Sequence, residues 1–215
     1  MKFLYGLYGA NIPVIKEFDI EKNTKIEAGT VVRCFSDGSG ISQSAIGCCI
    51  GVAAEDHSGE KDILNARSDG EKVRVDITGG GVYSIPAPRF TATLSGTATS
   101  FICAKDGINE SIVGSKLMLV AKGDNSSNTD LVGTMRKITE VTDGTDNVTI
   151  KLENGGVSCE GDVYALIPVF GYKGGIADDN KSFITEDLNG IILTVMGYDE
   201  KTASLEVLLG SKLFN

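Results

Sequence analysis

Short segments in which apolar and polar residues alternate, separated by glycine-rich turns, constrain the fold of this chain most. In the stretch 46–88, branched apolar residues alternate with charged ones over 73–77. Alternation with period two places the apolar side chains on one face of a strand and the charges on the other. Three glycines at 79–81 interrupt the segment, and Pro86 and Pro88 end the strand that follows. The stretch predicts strands joined by glycine-built corners.

The same pattern recurs along the chain. Lys116–Ala121 reads as a strand, 134–142 and 148–152 as a hairpin, and 191–196 with 203–209 as a closing hairpin. The 27 glycines, against only 4 prolines, indicate many tight turns and bulges rather than a linker. No window keeps a 3.6-residue period in its apolar residues, so we expect under about 15% of the residues to be helical. Segments 108–113 and 184–188 could each form one or two helical turns. We predict an all-β protein, a barrel or sandwich built from antiparallel hairpins, with very little helix.

A change of composition suggests how the chain is divided. Pro86 and Pro88 are followed by a run rich in serine and threonine, FTATLSGTATSF. We place a boundary near residue 95, with a β-barrel or sandwich domain over 1–95 and a second β-domain of hairpins over 96–215. The threonines in this run are good strand formers, so it also fits a long edge strand.

The charge of the chain limits its partners. The net charge is −9, which repels nucleic acid and anionic membranes, so we expect neither as a partner. No run approaches the ~18–20 apolar residues of a membrane helix. The apolar N-terminal segment is broken by Gly6, Gly9 and Asn11 and does not resemble a signal peptide, which predicts a protein made in a cytoplasm.

Residues able to perform chemistry are few. The single histidine, His57, stands beside Glu55, Asp56 and Glu60, a composition that also suits a solvated turn. Residues 123–130 and 143–147 cluster oxygen ligands without calcium-loop spacing. Five cysteines without a CxxC pair predict reduced thiols, with no disulfide or metal site. We predict no enzyme, no metal and no cofactor.

Aromatic residues offer two kinds of binding site. The chain has no tryptophan, which leaves Tyr164, Tyr172 and Tyr198 as candidates for stacking on a sugar. The N-terminal segment is the other candidate, as an arm that packs on a partner through aromatic anchors. The alternative is a plain edge strand that completes the protein's own barrel. The candidate arm residues are Phe3, Leu4, Tyr5, Leu7 and Tyr8.

Four segments together carry a resemblance. They are 26–32 (IEAGTVV), 47–60 (GCCIGVAAEDHSGE), 73–77 (VRVDI) and 81–86 (GVYSIP). This order of small and β-branched residues resembles the small β-barrel proteins that decorate or complete the capsids of tailed bacteriophages. The resemblance covers roughly residues 20–88, while the insertion 62–69 and the second half go beyond the simplest members.

The resemblance implies a function without catalysis. The expectation is a virion structural protein of a phage or prophage, made in the bacterial host cytoplasm, which binds the capsid lattice as a decoration or auxiliary head protein. Its partners would be the major capsid protein or other virion proteins, and it would form a homo-oligomer. The alternative is a β-sandwich binding module, such as a tail or fibre component or a carbohydrate-recognition protein.

Overall fold

The computed structural model describes residues 1–6, 12–20, 24–34, 40–42, 49–57, 72–94, 100–105, 108–124, 126, 131–154, 159–177, 182–185 and 191–211. Of the described residues, 62% lie in strands and 3% in helical turns, which confirms the all-β prediction. A 3-10 turn at Glu110–Ile112 lies within the first segment expected to hold a helical turn. Among the described residues, no helix has the length and apolar character needed to cross a membrane.

The strands are numbered in chain order. They are β1 (Lys2–Gly6), β2 (Ile15–Asp19), β3 (Val31–Cys34), β4 (Ile41–Ser42), β5 (Cys49–Ala53), β6 (Lys72–Asp76), β7 (Gly81–Pro86), β8 (Arg89–Leu94), β9 (Ser100–Ala104), β10 (Lys116–Ala121), β11 (Met135–Asp143), β12 (Asn147–Leu152), β13 (Val163–Ile167), β14 (Lys173–Ile176), β15 (Phe183–Ile184), β16 (Ile191–Asp199) and β17 (Ser204–Ser211). They form three sheets in which every strand pair is antiparallel.

The first sheet contains five strands in the order β2-β6-β5-β3-β4. It curls, because Ile20, directly after β2, makes a parallel bridge with Ile41 in β4. The alternation seen in the sequence explains its core, since Val73 and Val75 are buried while Arg74 between them is exposed. Its buried residues are Ile20, Ile26, Val32, Ile41, Ala53, Val73 and Val75.

The second sheet is a closed six-stranded barrel in the order β10-β11-β12-β9-β8-β13. The predicted hairpin across residues 143–147 is confirmed as the β11–β12 pair. Phe101 and Tyr164 meet edge to face in the core, with ring centroids 4.6 Å apart. The interpretation of the serine- and threonine-rich run as an edge strand is wrong, because β8 and β9 pair with each other and with β13 and β12 inside the closed barrel.

The third sheet contains six strands in the order β1-β7-β17-β16-β14-β15 and draws on both ends of the chain. The predicted closing hairpin is confirmed as β16–β17, and β17 also pairs with β7. Its buried cluster includes Val31 and Val52 of the five-stranded sheet and Ala165 of the barrel, so it packs against both. Strands from both sides of residue 95 therefore share sheets, and the division at that residue stays a prediction about folding units.

Candidate interaction surface

A buried polar network lies where the five-stranded sheet meets the third sheet. Asp76, at the end of β6, is only 5% exposed. Its Oδ1 accepts hydrogen bonds from the Thr78 backbone N–H at 3.0 Å and from Thr78 Oγ1 at 2.6 Å. Thr78 Oγ1 in turn accepts from the Val14 backbone N–H at 2.8 Å. The network therefore fixes the approach to β2 against the corner between β6 and β7.

Tyr83 of β7 completes this network from the third sheet. Its side chain is 1% exposed, and its hydroxyl hydrogen-bonds to Asp76. Burial is the main cause that raises the pKa of Tyr83 far above its usual value, and the charge and hydrogen bond of Asp76 raise it further. The phenol therefore stays protonated in the folded protein and can supply its hydrogen to the buried carboxylate.

A groove of about 360 Å³ opens beside this network and is lined partly by Gly51, Asp76, Tyr83 and Leu209. Gly51 is required at its position, because a Cβ there would lie 2.0 Å from the Asp76 carbonyl oxygen. The Asp76 carboxylate already receives hydrogen bonds from within the protein. Its role in this arrangement is to hold two sheets together.

The structure places three of the five candidate arm residues in β1, an outer strand of the third sheet. Phe3 turns inward and meets the Tyr83 ring edge to face, with centroids 5.8 Å apart. The pairing register with β7 shifts between Phe3 and Tyr5, which leaves Leu4 as an extra residue in a bulge. Leu4 and Tyr5 are each 37% exposed. Leu7 and Tyr8 lie outside the described residues.

A second group of exposed apolar residues lies at β2, an outer strand of the five-stranded sheet. Ile12, Val14 and Ile15 are 79%, 53% and 43% exposed. β1 and β2 lie on either side of the corner between β6 and β7. Gly6 of β1 pairs with Gly81, directly after the corner, and Ile15 of β2 pairs with Asp76, directly before it. We call the five exposed residues the N-terminal surface: Leu4, Tyr5, Ile12, Val14 and Ile15. Leu4 and Tyr5 belong to the candidate arm predicted from the sequence, whereas the other three follow that segment in the chain.

The residues around His57 bind the protein's own backbone. Partial burial would raise the pKa of Glu55, but hydrogen bonds from the backbone and side chain of Arg74, at 2.9 and 2.7 Å, hold it below its usual value. Asp56 Oδ1 accepts from the Ala28 N–H at 2.8 Å, and His57 Nδ1 lies 3.2 Å from the Thr24 carbonyl oxygen. Glu60 lies outside the described residues. The contacts are those of a braced turn.

The two candidate calcium segments are tied into the fold in a similar way. Asp162, fully buried, accepts from the Gly123 N–H at 2.9 Å and from the Cys159 N–H at 3.0 Å, which fixes the start of the first segment. Asp143, in the second, forms an ion pair with Lys105 at 3.0 Å. Residues 125 and 127–130 lie outside the described part. Within that part, no three side chains of histidine, cysteine, aspartate or glutamate are grouped as a metal site would need.

The three tyrosines considered for sugar stacking are engaged inside the molecule. Tyr164 lies in the barrel core, where burial and the charge of Asp162 raise its pKa to about 12. Tyr172 donates to the Thr185 carbonyl oxygen at 3.0 Å, and the Tyr198 hydroxyl lies 3.7 Å from Met118 Sδ. The most exposed aromatic side chain in the described part is instead Phe170, at 75%.

Comparisons with protein-family models, with curated proteins and with solved structures found no match. What can be inferred about function therefore comes from the residues and contacts of this chain.

Proposed function

We propose that the protein is a non-enzymatic structural protein of a phage or prophage particle, which binds the capsid lattice as a decoration or auxiliary head protein. The observation that carries this proposal is the N-terminal surface, where five apolar side chains stand exposed on and beside two outer strands. Exposed apolar groups on outer strands are a liability unless a partner covers them. The surface therefore fits a protein that works in an assembly.

The N-terminal surface is built rigidly enough to serve as a docking site. The Val14 backbone N–H donates to Thr78 Oγ1 at 2.8 Å, and the Val14 carbonyl oxygen accepts from the Ile77 N–H at 2.9 Å. The Tyr5 hydroxyl donates to Glu206 Oε2 at 3.2 Å, which orients its ring. Groups already ordered in the free protein lose less conformational entropy on binding.

Two further observations favour a capsid as the partner. The segment that resembles capsid-decorating proteins folds largely into the five-stranded sheet, and the Ile20–Ile41 bridge curls this sheet toward the small barrel that the resemblance implies. A capsid offers many identical sites, so modest contacts gain from avidity when copies also associate with one another. The net charge of −9 suits the outer face of the shell better than contact with packaged DNA.

The turn around His57 supports the non-enzymatic part of the proposal. Glu55, Asp56 and His57 each face a backbone partner of the fold, so their polar groups have a structural use. The main alternative, a tail or fibre component, would use the same N-terminal surface on a different virion protein. A carbohydrate-recognition protein would instead bind glycans, which titration calorimetry would detect.

Co-sedimentation with capsids tests the proposal. If the proposal is right, a major capsid protein is encoded near this chain, and capsids assembled from it are used for the test. Binding is measured for the wild type and for a Leu4→Ser/Tyr5→Ser variant. The control is Val132→Ser, since Val132 is 46% exposed and lies outside the N-terminal surface. We expect the double variant to bind roughly tenfold more weakly, the loss that ~1.4 kcal/mol of anchor contacts gives, and the control to bind like the wild type.

The outcomes separate the two parts of the proposal. If the wild type does not sediment with capsids, capsid decoration is refuted. If the wild type and the double variant bind equally, the N-terminal surface is not the docking site.

A further inference from the structure

A tight turn at the end of the barrel presents an aromatic side chain to solvent. It joins β13 to β14, and the Tyr172 N–H donates to the Val169 carbonyl oxygen across it at 3.0 Å. Gly171 has φ +79°, a value that favours glycine, and its N–H donates to the Val195 carbonyl oxygen at 2.7 Å. The backbone of the turn is thus fixed to β16, with Phe170 75% and Val169 45% exposed.

A groove of about 390 Å³ lies directly beside this turn. Its walls combine apolar and polar surface, and Tyr198 is held in one of them by the contact of its hydroxyl with Met118 Sδ at 3.7 Å. Its lining includes Met135, Ile167, Pro168 and Tyr198, with Lys116 and Glu200 as its charged groups and Phe170 on its edge. A projecting aromatic ring and a groove of ligand-binding size therefore occupy the same patch.

We infer that this patch is a two-fold interface between two copies of the chain, in which Phe170 of each copy enters the groove of the other. A two-fold contact uses the same surface on both molecules, so it requires the projecting group and its receptor to share one patch. That condition is met, since Phe170 lines the groove that its counterpart would fill. The inference goes beyond capsid binding, because it requires no capsid.

The charges around the groove favour a second copy over another partner. Lys116 and Glu200 have opposite signs, and among the described residues neither forms an ion pair. A two-fold axis through the patch brings Lys116 of each copy toward Glu200 of the other, which gives two complementary contacts. The lining carries one charge of each sign, so the contact itself adds no net repulsion between two copies that each have a net charge of −9.

Sedimentation velocity over a range of concentrations, in the absence of capsids, tests this inference. We expect a monomer–dimer equilibrium for the wild type and a dissociation constant at least roughly tenfold higher for Phe170→Ser, since buried aromatic anchors dominate interfaces. The control is Ile12→Ser, which removes an apolar side chain that is 79% exposed on the N-terminal surface, and it should dimerise like the wild type. Far-UV circular dichroism confirms that each variant is folded.

Charge reversal tests the geometry independently of the aromatic residue. Lys116→Glu and Glu200→Lys should each weaken the dimer, because each places like charges opposite one another, and the double variant should recover wild-type association. A wild type that stays monomeric, a trimer or ring in place of a dimer, or a Phe170→Ser variant that dimerises normally overturns the inference. A double variant no better than the single ones overturns the two-fold arrangement.

Discussion

Replacing Tyr83 by phenylalanine removes one hydroxyl from the network that joins two sheets. The ring remains, so the edge-to-face contact with Phe3 and the buried area are retained. What is lost is the hydrogen bond to Asp76, a carboxylate that is only 5% exposed and has little access to water as a replacement partner. The substitution therefore isolates the contribution of one buried, charge-assisted hydrogen bond.

The expected loss follows from this burial. A hydrogen bond to a charged group contributes about 1.5–3 kcal/mol, and we expect the free energy of unfolding to fall by about 2 kcal/mol. For a chain of this size that corresponds to a drop in Tm of roughly 4–8 °C. The matched control is Tyr5→Phe, which also removes a tyrosine–carboxylate hydrogen bond, to Glu206, but at an exposed site. That change should cost less than about 0.5 kcal/mol.

The pH dependence supplies a second reading of the same pair of proteins. Folding raises the pKa of Tyr83 above its ordinary value of 10.0. The contribution of its hydroxyl to the free energy of unfolding is therefore complete below pH 10 and is lost as the pH rises above 10. The stability difference between wild type and Tyr83→Phe should therefore shrink in alkaline solution. Urea unfolding followed by far-UV circular dichroism measures both effects. Equal losses for Tyr83→Phe and Tyr5→Phe, or a difference that does not change with pH, would refute the role given to the network.

Three further substitutions test other parts of the structure. Gly51→Ala should destabilise the fold strongly, because its Cβ would lie 2.0 Å from a backbone oxygen. Its control is Gly79→Ala, which adds a Cβ in open space and should leave stability unchanged. Equal unfolding midpoints for the two variants would contradict this. Phe101→Ala, in the barrel core, should lower the free energy of unfolding by about 3–5 kcal/mol in urea titrations, and a loss below ~1 kcal/mol would show that the ring is not packed as described. His57→Ala should lower the free energy of unfolding by no more than about 1 kcal/mol, the loss of one half-buried hydrogen bond, and should leave capsid binding unchanged; stoichiometric zinc in the purified wild type would contradict that expectation.

Local patterns predicted the strands, and the reason is physical. The strand Lys116–Ala121 was predicted with its observed limits, and the β11–β12 and β16–β17 hairpins were found from alternation and turn residues close in sequence. Both signals reside in a few consecutive residues. Asp76 shows the limit of such patterns. The alternation places it on the same strand face as the exposed Arg74, yet Asp76 is buried, because Tyr83 and Thr78 cover that face where β6 ends.

Pairings between distant strands could not be predicted in the same way. Nothing in the sequence of β17 specifies β7 as its neighbour, although the two pair over residues 204–208. Such register depends on which apolar faces meet in the assembled core. The exposure of Phe170 could not be predicted for the same reason, since the environment of a turn residue depends on the elements around it. The glycine after it, Gly171, is a local signal of the turn.

Electron cryomicroscopy of capsids incubated with the protein tests the central claim most directly. Decoration predicts extra density that repeats at symmetry-related sites over the outer surface of the shell, with the N-terminal surface, including Leu4 and Ile12, turned toward the capsid. Shells without added density, or density confined to the tail or to the inner face, would contradict the claim.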